Sequence, residues 1–180
     1  MVFLRRSLAL TLVLSAMASA QAPPVPEYRV KATFLFQFVQ FVGWPSEVLP
    51  PGQTPLVIGI LGQDPFGNYL DETLRNEKVN DHPLFVQRYR RLEDVKDCHV
   101  LFVSRSEAAR LDEILGTLKK RNILTVGDID NFADRGGIIQ FVTRENRVRL
   151  KINLESAKAA NLTISSKLLR PATVINSGAD

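Results

Sequence analysis

The apolar positions of this chain follow two periods. From about Glu27 to Val42, Tyr28, Ala32, Leu35, Val39 and Val42 recur at steps of three and four, on one face of a helix. Phe34, Phe38 and Phe41 widen that face, while Arg29, Thr33, Gln37 and Gln40 fall opposite. This apolar coverage exceeds what a surface helix needs. Either the helix is largely buried or its phenylalanine edge meets a partner. Gly43-Trp44-Pro45 then stops it. Short apolar stretches at 56–61, 84–89, 98–103 and 123–126 read as strands. Between the first two, Asp64 as N-cap and Pro65 in the first turn predict a helix to about Arg75. Ser104 or Ser106 caps a further helix from Glu107 to Lys120, and a short helix is expected near Phe132.

The period then changes to two. Val148, Leu150 and Ile152 alternate with Arg147, Arg149, Lys151 and Asn153, as on a strand with one solvated face. The stretch 138–143 precedes it across the short joint Arg144-Glu145-Asn146, which predicts an antiparallel hairpin. A last helix is expected from Glu155 to Leu169, with Leu162, Ser165, Ser166 and Leu169 on one face, for close packing or for docking. A polar tail, 173–180, follows. Strands alternating with helices place the chain in the α/β class. The expected architecture is a Rossmann-like three-layer sandwich. Its sheet is mostly parallel, of about six strands, with the antiparallel hairpin at one edge. A single domain spans 27–172.

The first twenty residues depart from both periods. Arg5 and Arg6 precede an apolar run, and Ala18-Ser19-Ala20 fits signal-peptidase cleavage. The run is short of the roughly 20 apolar residues a spanning helix needs. A cleavable leader, 1–20, is therefore expected, with an uncleaved anchor as the alternative. The Pro-rich segment 21–26 is a linker. Export places the working protein in the periplasm, without a transmembrane segment once the leader is removed, and removes ATP, NAD and nucleic acid from its partners. The leader holds two of the 23 basic residues and none of the 19 acidic ones, so the mature chain is close to neutral. That balance does not favour polyanions.

Cys98 is the single cysteine, so an intrachain disulfide is excluded and a buried free thiol is expected. His82 and His99 are the only histidines. His99 and Cys98 are adjacent on a strand and point to opposite faces, which makes a poor metal set. No G-x-S-x-G elbow or phosphate loop occurs, and Gly59, Gly62 and Gly67 match neither glycine fingerprint. No cofactor, metal or catalytic set is expected. Open α/β sheets bind ligands at the carboxyl ends of their strands. Those ends supply Gly62, Gln63, Asp64, Ser104, Arg105, Ser106, Gly127 and Asp128 as ligand candidates; Asp64 and Ser106 serve equally well as helix caps. Phe34, Phe38 and Phe41, with the basic row Arg147, Arg149 and Lys151, are the candidates for a protein-protein surface. A second copy of the chain is a further partner left open.

Four segments carry a family resemblance: Phe38 to Pro45 (FVQFVGWP), Ile60 to Gly67 (ILGQDPFG), Cys98 to Glu107 (CHVLFVSRSE), and Ile123 to Leu169 with ILTVGD, FADRGGIIQFV, RVRLKIN and ANLTISSKLL. In this order they resemble the YfiR family (DUF4154). The resemblance implies a small exported α/β protein without known catalysis. The best-known kind binds the periplasmic sensor part of an inner-membrane diguanylate cyclase and holds it off, and envelope or redox stress relieves that hold. It implies a membrane-anchored partner here, the periplasmic domain of a diguanylate cyclase or of a sensor kinase. The namesake branch uses several cysteines, so its disulfide control does not carry over to a chain with Cys98 alone. The alternative expectation is a small-molecule sensor or solute-binding module using the strand-end cleft.

Overall fold

In the computed structural model, which describes residues 26–52 and 54–176, the chain opens with helix α1 (Glu27–Phe41) and strand β1 (Val42–Gly43). Strand β2 (Leu56–Leu61), helix α2 (Asn68–Leu74), and strands β3 (Lys78–Val79) and β4 (His82–Tyr89) follow. Strand β5 (Val100–Val103) leads through a 3-10 segment, Arg105–Arg110, into α3 (Leu111–Leu118) and β6 (Leu124–Gly127). Strands β7 (Ile139–Arg144) and β8 (Arg147–Asn153) form the hairpin. Helix α4 (Leu154–Ala159), β9 (Thr163–Ile164), α5 (Ser166–Leu169) and β10 (Thr173–Ile175) complete it. The leader, 1–20, lies outside the described residues.

The sheet has eight strands in the order β10-β8-β7-β6-β5-β2-β4-β3, with β2, β4, β5, β6 and β7 parallel. A separate pair, β1 and β9, is antiparallel and joins the end of α1 to the C-terminal segment. The expected class and layers hold, and the strand count is larger than six. One face of the sheet presents Ile58, Ile60, Phe102, Val126 and Phe141 to Leu35, Phe38 and Val39 of α1 and Leu70 of α2. The other packs Leu101 and Val103 against Leu111, Ile114 and Leu118 of α3. Phe102 is wholly buried and meets Phe66 edge-on, with centroids 4.8 Å apart. Truncating such a side chain costs about 3–5 kcal/mol.

Local chemistry moves several boundaries. Asp64 does not start α2. Its carboxylate accepts from the Phe66 N–H at 2.7 Å in a turn, and Gly67, at φ 54°, precedes the first helical residue. The helix expected from Glu107 begins as the 3-10 segment and becomes α-helical at Leu111. Near Phe132 the chain makes hydrogen-bonded turns, not a helix.

The helix expected over 155–169 is broken. Asn161 sits at φ 54°, a left-handed conformation that asparagine tolerates and that ends α4. Thr163 and Ile164 then pair with β1, and the Ser165 hydroxyl caps α5 by accepting from the Lys167 N–H. The shared face expected of Leu162, Ser165, Ser166 and Leu169 does not form. The hairpin is not the sheet edge either. Thr173 to Ile175, assigned to the tail, pair with Lys151 to Asn153 and form the outermost strand. Backbone hydrogen bonds define β10, and its three residues carry too little side-chain pattern to announce it.

Candidate functional site

The carboxyl ends of β2 and β5 flank the point where the strand order reverses, the usual ligand crevice of an open α/β sheet. Here the protein's own groups occupy it. Ser106 accepts from the Gln63 N–H at 3.0 Å and donates to Glu107 at 3.0 Å. Gly62, at φ 90°, leaves the space these side chains fill, and a β-carbon there would collide with both. Asp64 takes the Phe66 N–H on one oxygen and the Arg88 guanidinium at 2.7 Å on the other. Arg88 also binds Asp71, and this hydrogen bond holds the Asp71 carboxyl below its usual range. Ser104 is buried and its N–H bonds the Leu61 carbonyl. Gly127 lies under the Phe132 ring. These candidates build the strand-end turns.

Arg105 and Asp128 belong to a different arrangement. Asp128, at the end of β6, is 2 % exposed, and its partner is a residue no strand-end argument reaches, Lys31 of α1. Lys31 is 1 % exposed and donates to Asp128 Oδ2 at 2.6 Å and to Glu27 one turn earlier. The Tyr28 hydroxyl donates to the same Asp128 oxygen at 2.8 Å. Burial and this carboxylate both raise the phenol's pKa. Burial opposes the Glu27 carboxylate, yet hydrogen bonds from Lys31 and Thr143 outweigh it and lower its pKa. The other Asp128 oxygen is buried without a hydrogen bond, and Arg105 Nε stands 3.4 Å from it. Arg105 itself is 61 % exposed. The cluster balances two cations against two carboxylates and anchors α1 over the carboxyl ends. Its sequence signal was a lone lysine inside the apolar face of α1, three residues from Tyr28 and four from Leu35. A charge in that position needs a counter-ion.

The partner candidates separate. Phe38 is fully buried and stacks on Phe141 at 5.8 Å, so it is core and not surface. Phe34 is half-buried beside the same ring, and Phe41 lies beneath the Lys167 ammonium. On β8, Arg147 and Arg149 are exposed, whereas Lys151 is half-buried and bound to Asp134 at 2.6 Å. Leu150 and Ile152 of β8 join the α1 side of the core. The alternating arginines therefore point to the opposite face, and the basic row and the phenylalanine edge do not form one patch. Arg144 was missed: it stands directly across the hairpin from Arg147, and it is exposed.

A further concavity lies among the described residues, lined by none of the eight cleft candidates. It is a groove of about 620 Å³ between α3 and α4, lined by Leu115, Gly116, Ile123, Thr125, Ile138 and Ala160 among others. Ile123 and Ile138 precede their strands, so the groove sits toward the amino ends of β6 and β7.

Cys98 is buried and unpaired as expected, with burial pushing its thiol up to about 12. His99 Nδ1 accepts from the Val57 N–H at 3.1 Å, and burial lowers its pKa. No helix among the described residues is long and apolar enough to cross a membrane.

No curated protein matches the chain at a significant level. A family model described as YfiR/HmsC-like matches residues 28–173. That span begins in the first turn of α1 and ends on the first residue of β10, so it takes in the Lys31–Asp128 cluster, the hairpin and the α3–α4 groove. The chain belongs to the YfiR/HmsC-like family.

Proposed function

We propose that this protein is a non-catalytic periplasmic regulator. It docks on the periplasmic sensor part of an inner-membrane signalling protein, a diguanylate cyclase, and represses it, so lowering cyclic di-GMP. Family membership supports the class of function. The observation that carries the docking reading is the arginine face of the hairpin. Arg144 and Arg147 are directly opposed, and Arg149 lies on the same face two residues on. Like charges facing each other across a strand pair destabilise it. None of the three forms an ion pair with a carboxylate among the described residues. An acidic partner surface removes that repulsion and is steered toward it.

The test compares the exported protein with Arg147→Glu/Arg149→Glu as bait for detergent-solubilised inner membranes, with melting temperature as control. The expected result is capture of a cyclase by the parent and loss of capture by the variant at unchanged melting temperature. Equal capture by both removes the hairpin from the interface. Capture of a sensor kinase instead replaces the cyclase as target.

A further inference from the structure

The α3–α4 groove has the volume and lining of a small-molecule site. Its space of about 620 Å³ falls inside the roughly 300–1,000 Å³ typical of ligand pockets. Leu115, Leu118, Ile123 and Ile138 make an apolar floor. Small residues hold it open: a β-carbon at Gly116 would meet nothing within 4 Å.

Its polar groups are unevenly satisfied. The acids on its rim are already engaged: Asp112 with Arg135 at 2.8 Å, Asp134 with Lys151 at 2.6 Å, and Glu155 with Lys158 at 2.9 Å. Lys119 and Lys120, also on the rim, pair with no carboxylate among the described residues. Thr125 is 5 % exposed, and its hydroxyl accepts the Ile138 N–H at 3.0 Å. The uncommitted charges on the rim are therefore cations. A ligand that brings negative charge would pair with the uncommitted rim cations.

We infer that the groove binds a small organic anion with an apolar body. The body lies on the Leu115–Ile138 floor, and the acid group meets Lys119 and Lys120. The site adjoins the hairpin: Asn153 of β8 lines the groove, and Lys151 of the same strand holds Asp134 on its rim.

The experiment titrates octanoate, and 1-octanol as its neutral counterpart, into the exported protein by calorimetry. Gly116→Phe fills the groove from a position with open space, and Ala159→Phe fills it from α4. Lys119→Glu with Lys120→Glu reverses the rim. Octanoate is expected to bind at one site, and 1-octanol about tenfold more weakly, the scale of a charge-assisted hydrogen bond. Each groove-filling variant, and the rim reversal, is expected to weaken octanoate by about tenfold or more at unchanged melting temperature. Failure of octanoate to bind overturns the inference. So does undiminished binding by both filled variants, or equal affinity for octanol and octanoate.

Discussion

Replacing Lys31 with methionine tests the buried cluster most directly. Methionine keeps the length of the side chain and its packing but removes the charge. Asp128, 2 % exposed, would then keep only the Tyr28 hydroxyl at 2.8 Å and the exposed Arg105 at 3.4 Å. Breaking a buried ion pair from one side costs about 3–5 kcal/mol, because the remaining charge is left uncompensated. Asp128→Asn should cost less, since Lys31 still holds Glu27, which is 42 % exposed and can draw solvent to the pair. The double variant should recover part of the loss, with coupling on the order of 0.5–3 kcal/mol. Urea unfolding of the four proteins gives the cycle directly. For a domain of this size, 1 kcal/mol corresponds to roughly 2–4 °C, so Lys31→Met should melt about 6–20 °C lower. A loss under about 1 kcal/mol for Lys31→Met, or strictly additive single variants, would refute the reasoning. The pair would then be an ion pair open to water, with no anchoring role for α1.

Cys98 should resist a thiol reagent at pH 8 in the folded protein, because burial holds its pKa near 12, and should react at once in urea. Cys98→Ser should cost about 1–2 kcal/mol by burying a hydroxyl; rapid labelling of the native protein would contradict this. His99 supplies a pH dependence of known sign. Burial lowers its folded pKa below 6.5, so the unfolded chain takes up the proton first. The stability it contributes is present above pH 6.5 and is lost as pH falls below that through the folded pKa. His99→Gln, which can still accept the Val57 N–H, should flatten the urea midpoint between pH 7.5 and 5. An unchanged slope would assign the effect to other groups.

The parallel core was legible because buried strands announce themselves. Leu56–Leu61 and Val100–Val103 are apolar throughout, and the alternation from Arg147 to Asn153 showed which face of the hairpin is solvated. These signals are local, set by the period of a strand or a helix. The single cysteine was equally local. Phe38 shows the limit of such signals: helical spacing placed it beside a buried face, but only Phe141, contributed by a distant strand, decided that it is core. Lys31 and Asp128 stand 97 residues apart, and no period links them. The same holds for β10, defined by backbone pairing with β8, and for the groove, which is the space left between two helices by small side chains. Local pattern determined α1, the long buried strands and the solvated face of the hairpin. Only the tertiary fold decided which charges neutralise each other, which aromatic rings are enclosed, and where the surface is concave, because each depends on residues that meet only after the chain has closed on itself.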